Sequence, residues 1–162
     1  MNKKAQAWGI DLIIASFIFI AGITAFYLFS LNSEGKITNS LLSEGNLIAD
    51  SILSEGSPIN WNQNDVSKIG ILTSNKINET KLVMFYNLTK NRYGETKSIF
   101  NTKYDYYFFL ADSVLANSIA VEGIGKQGVN STTLIAKNLM KITRFVVYQD
   151  KLVTAYLYIW EE

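Results

Sequence analysis

The sequence predicts an α+β protein: a long N-terminal transmembrane and amphipathic helix packed on a small antiparallel β-sheet head. Three observations carry this. A charge-free run, LIIASFIFIAGITAFYLFSL, fills Leu12 to Leu31. An apolar stripe at helical spacing follows it. The C-terminal part holds β-branched and aromatic runs separated by hairpin-length turns.

The first run has 20 residues, enough at about 1.5 Å each to span a hydrocarbon core of about 30 Å. It is apolar all round, where a surface helix would show a polar face. Ala15, Ala21, Gly22 and Ala25 are small, and Ser16 and Thr24 mildly polar. They suit close helix packing in a membrane or filament core, and are equally ordinary membrane-helix composition. Lys3 and Lys4 precede the run, and only Glu34 and Lys36 follow closely. Positive charge stays inside, so residues from 33 onward are expected outside the cell. The run exceeds a secretory signal core, and no small-x-small site follows Phe29, so the helix is expected to be retained. Asp11 sits at its lip. A carboxylate there either stays hydrated at the interface or pairs with a positive group on a neighbouring subunit.

The second feature is the spacing of Ile37, Leu41, Leu42, Ile48 and Ile52, with Leu47 and Leu53 alongside. It reads as an amphipathic helix running to about Glu55. Gly35 and Gly45 each cost about 1 kcal/mol in a helix, so a bend or break is expected there. Gly56 and Pro58 form a stop signal. Ser-Glu-Gly recurs at 33–35, 43–45 and 54–56, which reads as chance recurrence rather than a repeat unit.

From Ser57 to Asp65, SPINWNQND reads as a polar loop. A short strand is expected over Lys68 to Thr73. Asn78 is an N-cap candidate for a helix through Leu88, with Leu82, Phe85 and Tyr86 inward; Thr96 to Phe100 would add a turn. Strands are expected at Lys103–Ala111, Lys141–Tyr148 and Leu152–Trp160, with a weaker one at Ser118–Glu122. Gln149-Asp150-Lys151 is the turn between the last two main strands. In the final strand Tyr156, Tyr158 and Trp160 share one face, and Ala155, Leu157 and Ile159 the other. The N-terminal helix is expected on the aliphatic face. The aromatic face is expected under the 78–100 helices; its alternative is an interaction face for a partner subunit, a glycan or a surface.

Composition narrows the function. The chain has no Cys and no His, which removes thiolate chemistry and the commonest general base. With 15 basic and 14 acidic side chains the net charge is +1, so no nucleic-acid partner is expected. Neither an enzymatic activity nor a cofactor is expected. Gly123-Ile-Gly125-Lys-Gln-Gly128 matches G-x-G-x-x-G but lacks the βαβ context, and reads as a flexible loop. Asp105, Asp112 and Glu122 lack calcium-loop spacing and read as exposed strand-edge charges. Asn78, Asn87 and Asn130 open glycosylation sequons in the expected outer region.

The N-terminal sequence NKKAQAWGIDLIIASFIFIAG resembles the class III signal of archaeal type IV pilins and archaellins. In that family a membrane peptidase cuts after a small residue, before the apolar helix, and the helices then bundle in a filament core. The resemblance implies Lys3 and Lys4 as recognition charges, Ala5 before the cut and Gln6 as the new N-terminus. Asp11 would match the acid that neutralises a neighbour's terminal amine. Ala5 stands where many relatives have Gly. Asp11 would be the sixth mature residue rather than the fifth, a step of about 100° around the helix. The tail patterns KYDYYFFL and KITRFVVYQDKLVTAYLYIW also resemble those of pilin-like membrane-anchored archaeal proteins. The implied division is a signal peptide at 1–5, a transmembrane or filament-core helix at 6–32, its amphipathic continuation at 33–56 and an extracellular α+β head at 57–162. The implied partners are the prepilin peptidase, other pilin-like subunits and the lipid bilayer. The implied function is that of a filament subunit, major or minor. The alternative is a static single-pass membrane-anchored binding domain.

Overall fold

The structure, a computed structural model, describes residues 3–111, 123–130, 134–136 and 138–161. The strand expected at 118–122 lies outside them, as do Asp112 and Glu122. The chain forms two compact units, residues 1–38 and 39–162. Helix α1, Lys3–Ile52, runs through both sequences.

In the first unit, Gly9–Ser30 is a 22-residue stretch of mean hydropathy 2.4, long and apolar enough to cross a membrane, and none of it is buried. The hydroxyls of Ser16 and Thr24 donate to the carbonyls of Leu12 and Ile20, each at 2.8 Å. These bonds within one helix leave neither hydroxyl in need of an outside partner.

In the second unit α1 buries Leu41, Gly45, Ile48, Ala49 and Ile52. They follow the i, i+4, i+7, i+8, i+11 pattern of a single helix face. Leu42 and Leu47 flank the stripe and stay exposed. The break expected at Gly45 is absent, because this glycine is where the helix touches the sheet. A Cβ here would stand 2.3 Å from Ile142 Cδ1 and 2.9 Å from Ile159 Cγ2. The helix ends at Ile52, short of Glu55, and Gly56 turns the chain at φ +78°.

Both Leu-Ser-Glu-Gly copies make tertiary contacts. Glu44 accepts from Thr102 Oγ1 at 2.6 Å, and Glu55 accepts from the Ser74 amide at 3.0 Å. Each Glu therefore pins a later loop. Each Gly permits a close approach, Gly45 to the sheet and Gly56 to the ring of Trp61. Trp61 corrects the plain polar-loop reading of 57–65: it is fully buried, and its Nε1 donates to the Gly70 carbonyl at 2.8 Å.

Six strands form one sheet: β1 Leu72–Thr73, β2 Lys76–Ile77, β3 Asp105–Leu110, β4 Ile124–Gly125, β5 Met140–Tyr148 and β6 Lys151–Trp160. Their order is β1-β2-β5-β6-β3-β4. All neighbours are antiparallel except β2 and β5, which meet in parallel at Lys76↔Val147. The sheet is therefore mixed. The strand expected from Lys68 shrinks to β1. Ser74 and Asn75, both at positive φ, turn it straight into β2. Gln149 and Asp150 do the same between β5 and β6, so Lys151 belongs to the strand and not to the turn. The G-x-G-x-x-G run is no loose loop either. Its first half forms β4, and a Cβ on Gly125 would lie 2.1 Å from the Tyr106 carbonyl.

Helix α2, Glu79–Ile99, absorbs both expected helical pieces and kinks at Arg92 (φ −140°, ψ 51°). Asn78 caps it, its side chain accepting from the Lys81 amide at 3.2 Å. Leu82 and Phe85 are buried as expected; Tyr86 is half-buried.

Register assigns the sheet faces, since directly paired residues point the same way. Tyr106 pairs with Ile159, Phe108 with Leu157, and Ile142 with Leu157. This is the aliphatic face of β6, and α1 lies on it as expected. Phe85 of α2 and Phe100 at its C-cap go there too, packing on Tyr106 at 6.5 and 5.3 Å between centroids. The aromatic face is thus not covered by α2 rings. Phe109 and Lys141, from the strands flanking β6, lie over it instead.

Candidate functional site

Two surfaces stand out: the apolar span of α1 and the aromatic face of β6. On α1, Lys3, Lys4, Ala5 and Gln6 lie in the first turns. Asp11 follows among exposed Ile10, Leu12 and Ile13, and no described residue pairs with it. The span presents Phe17, Ile18, Phe19, Ile20, Phe26 and Phe29 on every side. An apolar surface that surrounds a helix suits lipid or other helices, not water.

On the sheet, the Phe109 ring sits 5.2 Å from both Tyr156 and Tyr158. Lys141 Nζ lies 3.9 Å from the Tyr156 centroid and 5.9 Å from Tyr158. Tyr156 and Tyr158 are half-buried. Trp160, grouped with them by alternation, is only 3% exposed and offers no surface. Toward the β5–β6 turn, Phe145 and Leu152 are each 70% exposed.

The charged side chains of the head mostly serve structure. Asp105 is buried, not the exposed strand-edge charge expected. It accepts from Lys126 at 2.7 Å, Lys97 at 3.0 Å and the Tyr93 hydroxyl at 3.0 Å. Burial pushes its pKa up, but the bonds from Lys126, Lys97 and Tyr93 outweigh that and hold it below the usual carboxylate range. Burial pushes Tyr93 and Tyr106 well above the usual phenol range. Tyr148, raised by burial and by its bond to Glu79, reaches about 12. Lys81 is buried with no carboxylate partner among the described residues; its ammonium donates to the Glu55 and Leu72 carbonyls, each at 2.8 Å. It ties the end of α1 to β1 through α2. Neither Lys81 nor the Asp105 cluster was singled out from sequence, because their partners lie far along the chain.

A cleft of about 280 Å³ lies between α2 and β4, lined by Tyr86, Lys90, Tyr107 and Gln127 among others. Gly123 and Gly125 border it as packing glycines; a Cβ on Gly123 would overlap the Tyr107 ring. They are not arranged as a phosphate cradle at a helix start. Among the described residues no three acidic groups gather to hold a metal. Of the sequon asparagines, Asn78 is occupied as the α2 cap, and its Nδ2 donates to Thr73 Oγ1 at 3.2 Å. Asn87 is half-buried within α2, and Thr89 of its sequon is buried. Asn130 is exposed outside the strands.

No family model matches the chain, and no curated protein or solved structure matches it.

Proposed function

We propose that the chain is a structural subunit of an archaeal type IV pilin-like filament. One observation carries the reading: a single helix has an apolar surface on every side over Gly9–Ser30 and a one-sided, sheet-packed stripe over Leu41–Ile52. That is the division a subunit needs if one end is held by lipid or neighbouring helices and the other carries a head. In this reading the N-terminus is cytoplasmic and the head extracellular. The prepilin peptidase cuts between Ala5 and Gln6, and the span then leaves lipid for a helix bundle. Apolar burial differs little between the two settings. The bundle must gain from close packing at Ala15, Ala21, Gly22 and Ala25 and from polar pairing at Asp11.

The test is terminal peptide mass spectrometry of the protein from its native surface fraction. A start at Gln6 supports pilin-type processing; an intact start in the mature population rejects it. Replacing Ala5 by a bulky residue should block maturation in cells carrying the peptidase. Asp11→Ala should spare insertion and lower filament yield, and an unchanged yield removes Asp11 from assembly.

The second reading, a static membrane-anchored binding domain, draws on Tyr156, Tyr158 and Phe109. Rings in tilted and edge-to-face contact beside a lysine, on a half-buried sheet face, suit a sugar or a protein loop. It needs the same span and no cleavage, so the same mass measurement separates the two.

A further inference from the structure

Strand β5 carries an edge that no described residue pairs. The Tyr148↔Lys151 pair closes a two-residue turn, so Tyr148 exchanges both backbone bonds with β6. Alternation then aims the backbone groups of Met140, Ile142, Arg144 and Val146 at β6. Those of Lys141, Thr143, Phe145 and Val147 point away from it. Val147 meets Lys76 of β2, where the pairing on that side stops. Below it the outward groups of Lys141, Thr143 and Phe145 have no ladder partner among the described residues. The Thr143 carbonyl receives only its neighbour Arg144, at 3.3 Å. The register with β6 is continuous, and the strand contains no proline. Two usual devices for blunting an edge, a bulge and a proline, are therefore missing. Phe145, at 70% exposure, stands on this edge.

We propose that this edge pairs antiparallel with β5 of a second copy of the chain, about a two-fold axis through Thr143. The sequence of the strand selects that register. Centring on Lys141 or on Arg144 sets like charges directly opposite, which is destabilising. Centring on Phe145 drives the second copy into the place held by β2. Centring on Ile142 leaves Phe145 facing a residue outside the strand. Centring on Thr143 sets Thr143 opposite itself and Lys141 beside Phe145 of the second copy, twice over. Thr–Thr pairs and a cation beside a ring are both favourable cross-strand neighbours. Arg144 points to the other face, where Asn46 at 2.8 Å and Asp50 at 3.3 Å hold it; its long 3.3 Å bond to the Thr143 carbonyl gives way to, or shares that oxygen with, the second copy's amide. An isologous contact of this kind closes on itself.

An edge this short buries less area than a stand-alone dimer of standard size. Pairing therefore depends on copies held at high local density, as a shared bilayer holds them. To that extent it rests on the membrane reading, and it needs no peptidase cleavage.

The chain has no Cys, so Thr143→Cys introduces a single thiol. A hydrogen-bonded antiparallel pair spaces Cα atoms by about 5.5 Å, within the disulfide range of about 4.4–6.8 Å. The full chain is reconstituted at high density in phosphatidylcholine vesicles, insertion is checked by flotation, and mild oxidant is added. Thr143→Cys should give covalent dimer about tenfold faster than Leu152→Cys, since pairing raises the effective thiol concentration. Leu152 is exposed too but lies off the edge. Equal rates, or no dimer in vesicles that float, overturn the proposal. Amide exchange of the unsubstituted chain, compared between dense and dilute samples in detergent, supplies a second readout. Lys141, Thr143 and Phe145 should be slow when dense and fast when dilute; fast exchange in both overturns the pairing. Because this arm needs no bilayer, a chain that fails to float rejects the membrane reading alone.

Discussion

Gly45→Ala is expected to destabilise the head although it replaces the worst ordinary helix former by the best. The added methyl would stand 2.3 Å from Ile142 Cδ1 and 2.9 Å from Ile159 Cγ2. Carbon atoms at rest lie about 3.5–4.0 Å apart. Ile142 Cδ1 is terminal and can swing aside. Ile159 Cγ2 is attached at the branch of a stiff side chain, on a strand paired on both sides. Helix and sheet must therefore separate, loosening the contacts of Leu41, Ile48 and Ile52. Overpacking of this kind costs about 1–3 kcal/mol. The gain in helix propensity is about 1 kcal/mol. The clash exceeds the gain, for a net loss of up to about 2 kcal/mol. Gly94 is the control: it lies in α2 with nothing within 4 Å of an added Cβ, so Gly94→Ala should stabilise by about 0.5–1 kcal/mol. Urea denaturation of the full chain in mild detergent, followed by the fluorescence of buried Trp61 and Trp160, reads both. If Gly45→Ala raises the midpoint alongside Gly94→Ala, the close helix–sheet approach is wrong.

Asp105→Asn should cost about 2 kcal/mol, less than the roughly 3–5 kcal/mol typical of breaking a fully buried ion pair, because both lysines are partly exposed. The folded Asp105 pKa is depressed, so its contribution is present above the ordinary value of 3.8 and is lost as pH falls below it. Urea midpoints of the wild type should therefore drop through that acid window, and those of Asp105→Asn should drop less; parallel curves would refute the assignment. On the alkaline side, the folded Tyr148 pKa is raised from 10.0 to about 12. Its stabilisation is complete below 10.0 and lost as pH rises between those values. Tyr93 and Tyr106 are raised further, so these two phenols should ionise only together with loss of circular-dichroism structure. Phenolate absorbance that saturates while the fold persists would count against it. Lys81→Met should cost about 1–3 kcal/mol in a urea titration, because the buried Leu72 carbonyl loses its donor; a change within about 0.5 kcal/mol would show that the ammonium is dispensable.

Local signals in the sequence predicted local structure well. Alternation and turn length placed β5 and β6, and Asn78 marked the α2 start, because a cap or a two-residue turn involves only neighbours. Readings that depended on what lies opposite went wrong more often, although α1 does cover the aliphatic face of β6. Gly45 was weighed by its intrinsic cost, which says nothing of Ile142 and Ile159 above it. Trp61 sits among Asn, Gln and Asp, so its loop looked solvated; burial follows from Gly70 and Gly56, brought close by the turn after α1. Alternation in β6 separated two faces but could not say which element covers which. That was decided by Tyr106 falling opposite Ile159 rather than opposite Tyr158, a one-residue matter of register.

The candidate site divides along the same line. The span needed no fold to be legible, since lipid compatibility is a property of composition over about 20 consecutive residues. The head surface needed the fold entirely. Trp160 shares the parity of Tyr156 and Tyr158 yet is buried, and Phe145, which no motif marks, stands exposed on an edge that no described residue pairs. An aromatic residue in a strand says only that it favours a half-buried pleated surface. Whether it fills a core or meets a partner depends on how far the neighbouring strands extend. Here β2 contributes two residues to the flank of β5 where nine were available, and that shortness leaves Lys141, Thr143 and Phe145 facing outward.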